Sequence, residues 1–163
     1  MDTVKIRITK ELWGKLYSEL RDRGNGETES GAFLLGNESS NEIIDVLYYD
    51  DLEPGCLDSG AIHLTNRTFI RLTNYCHENS LSVKADIHTH PGRFTSQSFI
   101  DEENPMIKVK GHIGIIVPFF ALPSNCDFKK LGIHEFLGNG FRWKSYKYSD
   151  RVFVVEEDYE YAR

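Results

Sequence analysis

At 163 residues, with 40% hydrophobic and 27% charged residues, the chain can bury one ordinary core without staples, and a single domain over residues 1–163 is expected. A net charge of −6 and a pI near 5.5, with Lys129–Lys130 the only adjacent basic pair, exclude the basic stripe that a nucleic-acid binder needs. No stretch approaches the roughly 20 apolar residues of a membrane span and the N-terminus carries no secretion signal, so a soluble, cytoplasmic protein with no membrane partner is expected.

Val4, Ile6 and Ile8 alternate with polar residues, the period of a half-buried strand. Thr9 can then cap a helix whose Leu12, Trp13, Leu16 and Leu20 share one face and which ends near Gly24. The loop from Asn25 to Glu29 leads into Ser30–Gly36, whose Ala32-Phe33-Leu34-Leu35 run suits a strand covered on both faces. After a polar turn at 37–41, Glu42–Tyr49 is a second β-rich run expected to pair with it as a hairpin.

Residues 50–60, with Pro54-Gly55, read as a loop. Thr65 or Asn66 can cap a helix carrying Phe69, Ile70, Thr73 and Cys76 on one side, and Leu81–His88 returns as a strand. Ser98 starts a short helix that Asn104-Pro105 ends, because the residue before proline is pushed out of the α region. His112–Val117 and Gly132–Leu137 are apolar strands. Gly138-Asn139-Gly140 turns into Phe141–Tyr148, which is expected to pair with Val152–Val155. The acidic, aromatic segment from Glu156 to Tyr161 reads as a frayed terminus or a docking tail. Helices interleaved with hairpins imply a mixed α/β sheet with helices packed on it.

Three widely spaced cysteines, Cys56, Cys76 and Cys126, offer neither a disulfide framework nor a CxxC motif. Cys76 precedes His77, but neighbours on a helix rarely face each other, so a thiol nucleophile is not expected there. The chemistry gathers instead between Ala85 and Asp101. Residues two apart on a strand share a face, so His88 and His90 project together and Thr89 points away. Pro91-Gly92 reverses the chain, and Ser98-x-x-Asp101 opens a helix that can return the Asp101 carboxylate to the two imidazoles. Two histidines and one carboxylate leave a tetrahedral zinc one open position, the mark of a catalytic site. Such a site needs a base that is not a ligand. Of Glu27, Glu29, Glu38, Glu102 and Glu103, Glu29 stands at the entrance to the most buried strand, where burial raises a carboxyl pKa. His112 is expected to be a core histidine satisfied by the backbone, and His63, His77 and His134 have no motif context.

His88-Thr89-His90, seven residues, then Ser98-Phe99-Ile100-Asp101 resembles the JAMM motif of JAB/MPN domain metalloproteases, and Glu29 to Gly36 resembles the glutamate-to-glycine strand of the same family. The departures are Gln97 where many members have proline, and Gly31 before Ala32 where many have a small residue before glycine. Neither touches a ligand. The resemblance implies a cytidine-deaminase-like fold with a central mixed, curved sheet flanked by helices, and one catalytic Zn²⁺ held by His88, His90 and Asp101. It also implies Glu29 as acid/base, Ser98 as oxyanion donor, and cleavage after the C-terminus of a ubiquitin-like protein as the reaction. Stand-alone prokaryotic members of this kind include deconjugases of bacterial ubiquitin-like systems, some in antiphage defence, and peptidases acting on sulfur-carrier proteins. A non-catalytic MPN scaffold and a metallohydrolase of small amides are the rival readings, and a monomer or weak dimer is expected.

Overall fold

A computed structural model describes residues 4–138, 140 and 142–156. Strand β1 (Ile6–Thr9) runs into helix α1 (Lys10–Gly24), where the Thr9 hydroxyl accepts the Leu12 N–H and Asn25 closes the helix in left-handed conformation. Strand β2 (Gly31–Gly36) is buried at every position and pairs antiparallel with β3 (Asp45–Tyr48), the expected hairpin with a shorter second arm. The segment from residue 50 onward is not all loop. Tyr49–Leu52 forms a short helix, α2, because Tyr49 and Leu52 both bury against Phe33 and its neighbours.

Helix α3 (Asn66–Asn79) begins after Thr65 as expected, yet the cap is supplied from afar. Glu53 accepts the Thr65 N–H and the hydroxyls of Thr65 and Thr68, three bonds that hold its carboxyl down to about 2. The buried side of α3 also differs from the expected one: Thr68 and Leu72 are buried, with Phe69, Tyr75 and Cys76 packed beside them, while Ile70 and Thr73 face solvent. The apolar residues at 69, 72 and 76 define that stripe, and Ile70 falls outside it.

Strands β4 (Ser82–Thr89), β5 (Ile113–Val117), β6 (Gly132–Gly138) and β7 (Arg142–Tyr146) complete a six-stranded sheet of order β3-β2-β4-β5-β6-β7. Only β4 and β5 run parallel; the other neighbours are antiparallel, so the sheet is mixed, with helices packed on it as expected. Ala32, Leu34, Ala85, Ile87 and Ile115 face α1, and Phe33 and Leu35 face α3. Full burial of each such Leu, Ile or Phe contributes about 1.5–3 kcal/mol, so β2 alone ties the two layers together.

One expected pairing is wrong. Strand β8 (Phe153–Glu156) does not return on β7; it pairs parallel with β1 in a separate two-stranded sheet. A 3₁₀ turn at Tyr148–Asp150 and a left-handed Arg151 redirect the chain, and Phe153 then buries completely against Trp13 and Tyr148. Burying that ring outweighs the short local hairpin. The turn residue Asn139, Phe141 and the tail beyond Glu156 lie outside the described residues.

Candidate metal centre

The geometry starts from Thr89. Its side chain is fully buried on the α1 side, where its hydroxyl accepts the Ser30 N–H at 3.0 Å while its own N–H donates to the Ser30 carbonyl at 2.9 Å. Ser30 in turn donates its hydroxyl to the Leu20 carbonyl at the end of α1, 2.7 Å away. With Thr89 fixed inward, His88 and His90 point to the opposite face, at the carboxyl end of the parallel pair β4/β5. The same lock brings Glu29, one residue before Ser30, alongside them. Gly31 pairs with His88 across the ladder, and a Cβ there would stand 2.4 Å from the Tyr49 ring and 2.7 Å from the Ile87 carbonyl. The Gly31-then-Ala32 order is therefore a packing requirement of this chain.

Asp101 is delivered by α4 (Phe99–Glu103) through a complete capping box: Ser98 Oγ accepts the Asp101 N–H at 3.1 Å and Asp101 Oδ2 accepts the Ser98 N–H at 3.0 Å. That same Oδ2 stands 3.2 Å from His90 Nε2 and 3.6 Å from His88 Nε2, and the two Nε2 atoms are 3.1 Å apart. A tetrahedral zinc with bonds of about 2.0–2.2 Å sets neighbouring donors roughly 3.3–3.6 Å apart. The observed separations of 3.1 to 3.6 Å come within about 0.2 Å of that spacing, so the three atoms could hold a metal ion. Two imidazole lone pairs at this separation repel unless a proton or a cation lies between them.

Tautomers support the same reading. His90 Nδ1 faces the Phe94 carbonyl at 3.0 Å, an acceptor only, so Nδ1 carries the hydrogen and Nε2 is left as a lone-pair donor to the centre. Burial opposes a charge on His90, but the bond to Asp101 and the Phe94 carbonyl outweigh it and raise its pKa. For Asp101, burial works upward, yet the two imidazoles and the Ser98 N–H hold the carboxyl far below the usual carboxylate range. His88 Nδ1 is buried with no hydrogen-bond partner among the described residues, which leaves that ring's orientation to packing.

Glu29 is half-buried and lines, with Ser98 and the three donors, a cavity of about 400 Å³. Burial raises its carboxyl pKa, as expected; the imidazoles pull it back and Asp101 pushes it up again. Ser98 is exposed at the rim. Glu27, Glu38, Glu102 and Glu103 all face solvent. All three cysteines are free, and burial pushes their thiols up, with Cys126 reaching about 12, so none is primed as a nucleophile.

One histidine departs from expectation, and another takes a role that was not anticipated. His112 is not satisfied by backbone: its Nε2 donates to Asp86 Oδ2 at 2.6 Å, both residues being buried. Asp86 shares the His88 face of β4, so the pair lies under the centre. His134, which had no sequence context, donates from Nε2 to the Thr95 carbonyl and accepts the Ser145 hydroxyl at Nδ1, each at 2.8 Å. It pins the loop between His90 and Ser98 to β6, and burial keeps it neutral by lowering its pKa. Its alternation with Gly132 on β6 was the available signal: a Cβ at Gly132 would lie 2.0 Å from that Thr95 carbonyl.

No protein-family profile matches the chain. Its fold is similar to that of a Desulfitobacterium hafniense protein of known solution structure, with a TM-score of 0.67 at 13% identity over 96% of each chain. A Salinibacter ruber protein is also similar, with a TM-score of 0.59 at 17% identity over 95% of this chain and 94% of that one. A JAB1/MPN domain protein from Archaeoglobus fulgidus superposes more loosely, with a TM-score of 0.49 at 14% identity over 93% of this chain and 98% of that one.

Proposed function

We propose that the protein is a zinc metalloprotease of the JAB/MPN type, an isopeptidase or peptidase cutting after the C-terminus of a ubiquitin-like protein. The observation that carries this reading is the convergence of His88 Nε2, His90 Nε2 and Asp101 Oδ2, with separations of 3.1 to 3.6 Å, in the cavity that Glu29 lines. When bound there, zinc would supply Lewis acidity to the scissile carbonyl and bring the pKa of water towards ~7. The chain's own groups do the rest. Glu29, with its pKa raised by burial, is placed to accept a proton from the attacking water and to pass it to the leaving amine. Ser98 Oγ already accepts the Asp101 N–H, so its hydroxyl hydrogen is free to donate to the developing oxyanion.

The shape of the cavity supports an extended substrate. Past Ile62, Ile100 and Met106 the groove runs on to Leu64 and Phe69, an apolar trough suited to an extended tail threaded to the centre. The test is a panel of ubiquitin-like and sulfur-carrier fusions and isopeptide conjugates, incubated with zinc-loaded protein and with Glu29→Gln. Glu29→Gln should retain zinc and lose turnover by on the order of 10²-fold or more. Unchanged turnover in that variant removes Glu29 as the base, and an uncut panel with zinc bound removes the substrate class.

A further inference from the structure

Beyond β5 the backbone does something that sterics disfavour: Phe119, Phe120 and Ala121 have φ of 58°, 53° and 58°. One non-glycine residue in left-handed conformation is uncommon, and three in succession, two of them aromatic, persist only where the surroundings over-determine them. Those surroundings include the ligand loop. The Phe120 N–H donates to the His90 carbonyl at 2.9 Å and the Phe119 N–H to the Gly92 carbonyl at 3.0 Å, while the His90 N–H donates to the Val117 carbonyl at 2.8 Å. Both backbone groups of His90 are thus held by the end of β5 and the turn after it. A right-handed turn would aim the two N–H groups elsewhere.

The turn is held from its other side by one guanidinium. Arg21, in the last turn of α1 and lying over the Tyr17 ring, donates from Nε to the Ala121 carbonyl and from Nη2 to the Pro123 carbonyl, each at 2.8 Å. We infer that Arg21 is a positioning residue for the metal centre: by gripping the left-handed turn it keeps the Phe119 and Phe120 N–H groups on the backbone of His90 and Gly92, and so fixes where His90 Nε2 points. The two-bond grip needs a planar fork that lysine lacks. This inference rests on reading His88, His90 and Asp101 as metal ligands. Arg23, two residues on, supplies the contrast, since it joins α1 to α2 through Glu19, Asp50 and Asp51 and covers the Tyr48 ring.

Cobalt(II) is the probe, because its visible absorption reports ligand geometry while competition with a chelator gives affinity. Metal-free wild type is compared with His88→Ala, Arg21→Gln, Arg21→Lys, Arg23→Gln and Phe120→Val, the last placing a β-branched residue in left-handed backbone without touching the arginine. Arg21→Gln and Phe120→Val should each weaken cobalt binding by about 10-fold or more, the usual effect of losing a residue that orients a ligand. Both should alter the visible bands, with Arg21→Lys recovering only part. Arg23→Gln should lower thermal stability and leave affinity and spectrum unchanged. Wild type that fails to bind cobalt, or His88→Ala that binds it equally, overturns the metal-centre reading itself. A His88-dependent site whose affinity and bands are the same in Arg21→Gln as in wild type overturns the role of Arg21, whatever Phe120→Val does; if Arg21→Gln does not fold, wild-type affinity and bands in Arg21→Lys overturn it.

Discussion

Replacing Gly31 by alanine is a single-methyl perturbation aimed at the joint between β2 and β4. The new Cβ would stand 2.4 Å and 2.8 Å from two carbons of the Tyr49 ring and 2.7 Å from the Ile87 carbonyl oxygen. Carbon–carbon contacts are best at about 3.5–4.0 Å, so the ring would have to retreat by about 1 Å. It has nowhere to go: Tyr49 is fully buried, with its ring centroid 4.8 Å from that of Phe33, and Ile87 belongs to the β4 ladder. Overpacking of this kind costs about 1–3 kcal/mol, more when backbone is struck, so about 3 kcal/mol is expected. In a domain of this length each kcal/mol lowers Tm by about 2–4 °C, giving a fall of roughly 6–12 °C. Because Gly31 is the register partner of His88, relief by strand separation moves Glu29 away from the imidazoles, and turnover should fall while the local ligand loop still binds zinc. Thermal unfolding with and without zinc, together with conjugate cleavage, measures each part. A Tm and turnover equal to wild type would show that the β2–β4 approach is looser than the structure has it.

Removing one member of the buried Asp86–His112 pair should be costly. Asp86→Ala is expected to destabilise by about 3–5 kcal/mol, and the double replacement of both residues by leucine by much less; urea unfolding of the full mutant cycle checks this, and additive effects refute it. Metal affinity should depend on pH through His90. Its pKa is raised in the metal-free protein, so protons compete with zinc from above the ordinary imidazole value downward, and chelator competition across about pH 5–8 should show affinity declining with acid. Stability of the two forms then carries opposite signs. The contribution of His90 to the metal-free protein is full below the unfolded imidazole pKa and is lost as pH rises through the folded one, whereas the stabilisation by zinc grows with pH. An affinity flat across that range contradicts the assignment of His90.

The convergence of His88, His90 and Asp101 was readable because each of the three obeys a local rule. Period-two alternation puts His88 and His90 on one side, and a capping box fixes Asp101, so no knowledge of the tertiary fold was needed. Glu29 was readable as the glutamate at the mouth of the most buried strand and through the resemblance of Glu29–Gly36 to a glutamate-to-glycine strand. What the sequence hid are partnerships between residues far apart in the chain. Glu53 caps α3 in place of Thr65, Phe153 draws β8 to β1, Asp86 takes His112, and His134 holds the Thr95 carbonyl. In each, the deciding energy is burial or pairing across the fold, to which a local pattern of turns and periodicity is blind.

That division has a mechanistic meaning. The three candidate donors all come from one end of β4 and the loop and short helix that follow, so the strand pleat and the capping box set their placement locally, while the left-handed turn at Phe119–Ala121, distant in the chain, holds the backbone of His90. Glu29 has no such local tie. It reaches the centre through the reciprocal Ser30–Thr89 bonds and the bare Gly31, both of which join β2 to β4. On the proposed function, crowding at Gly31, which leaves the Ser30–Thr89 bonds in place, should therefore weaken proton transfer before metal binding, whereas damage to the Phe119–Ala121 turn should act on the metal first. Loss of metal in every inactive variant would mean that Glu29 is held by the metal and its ligands, not by the strand it precedes.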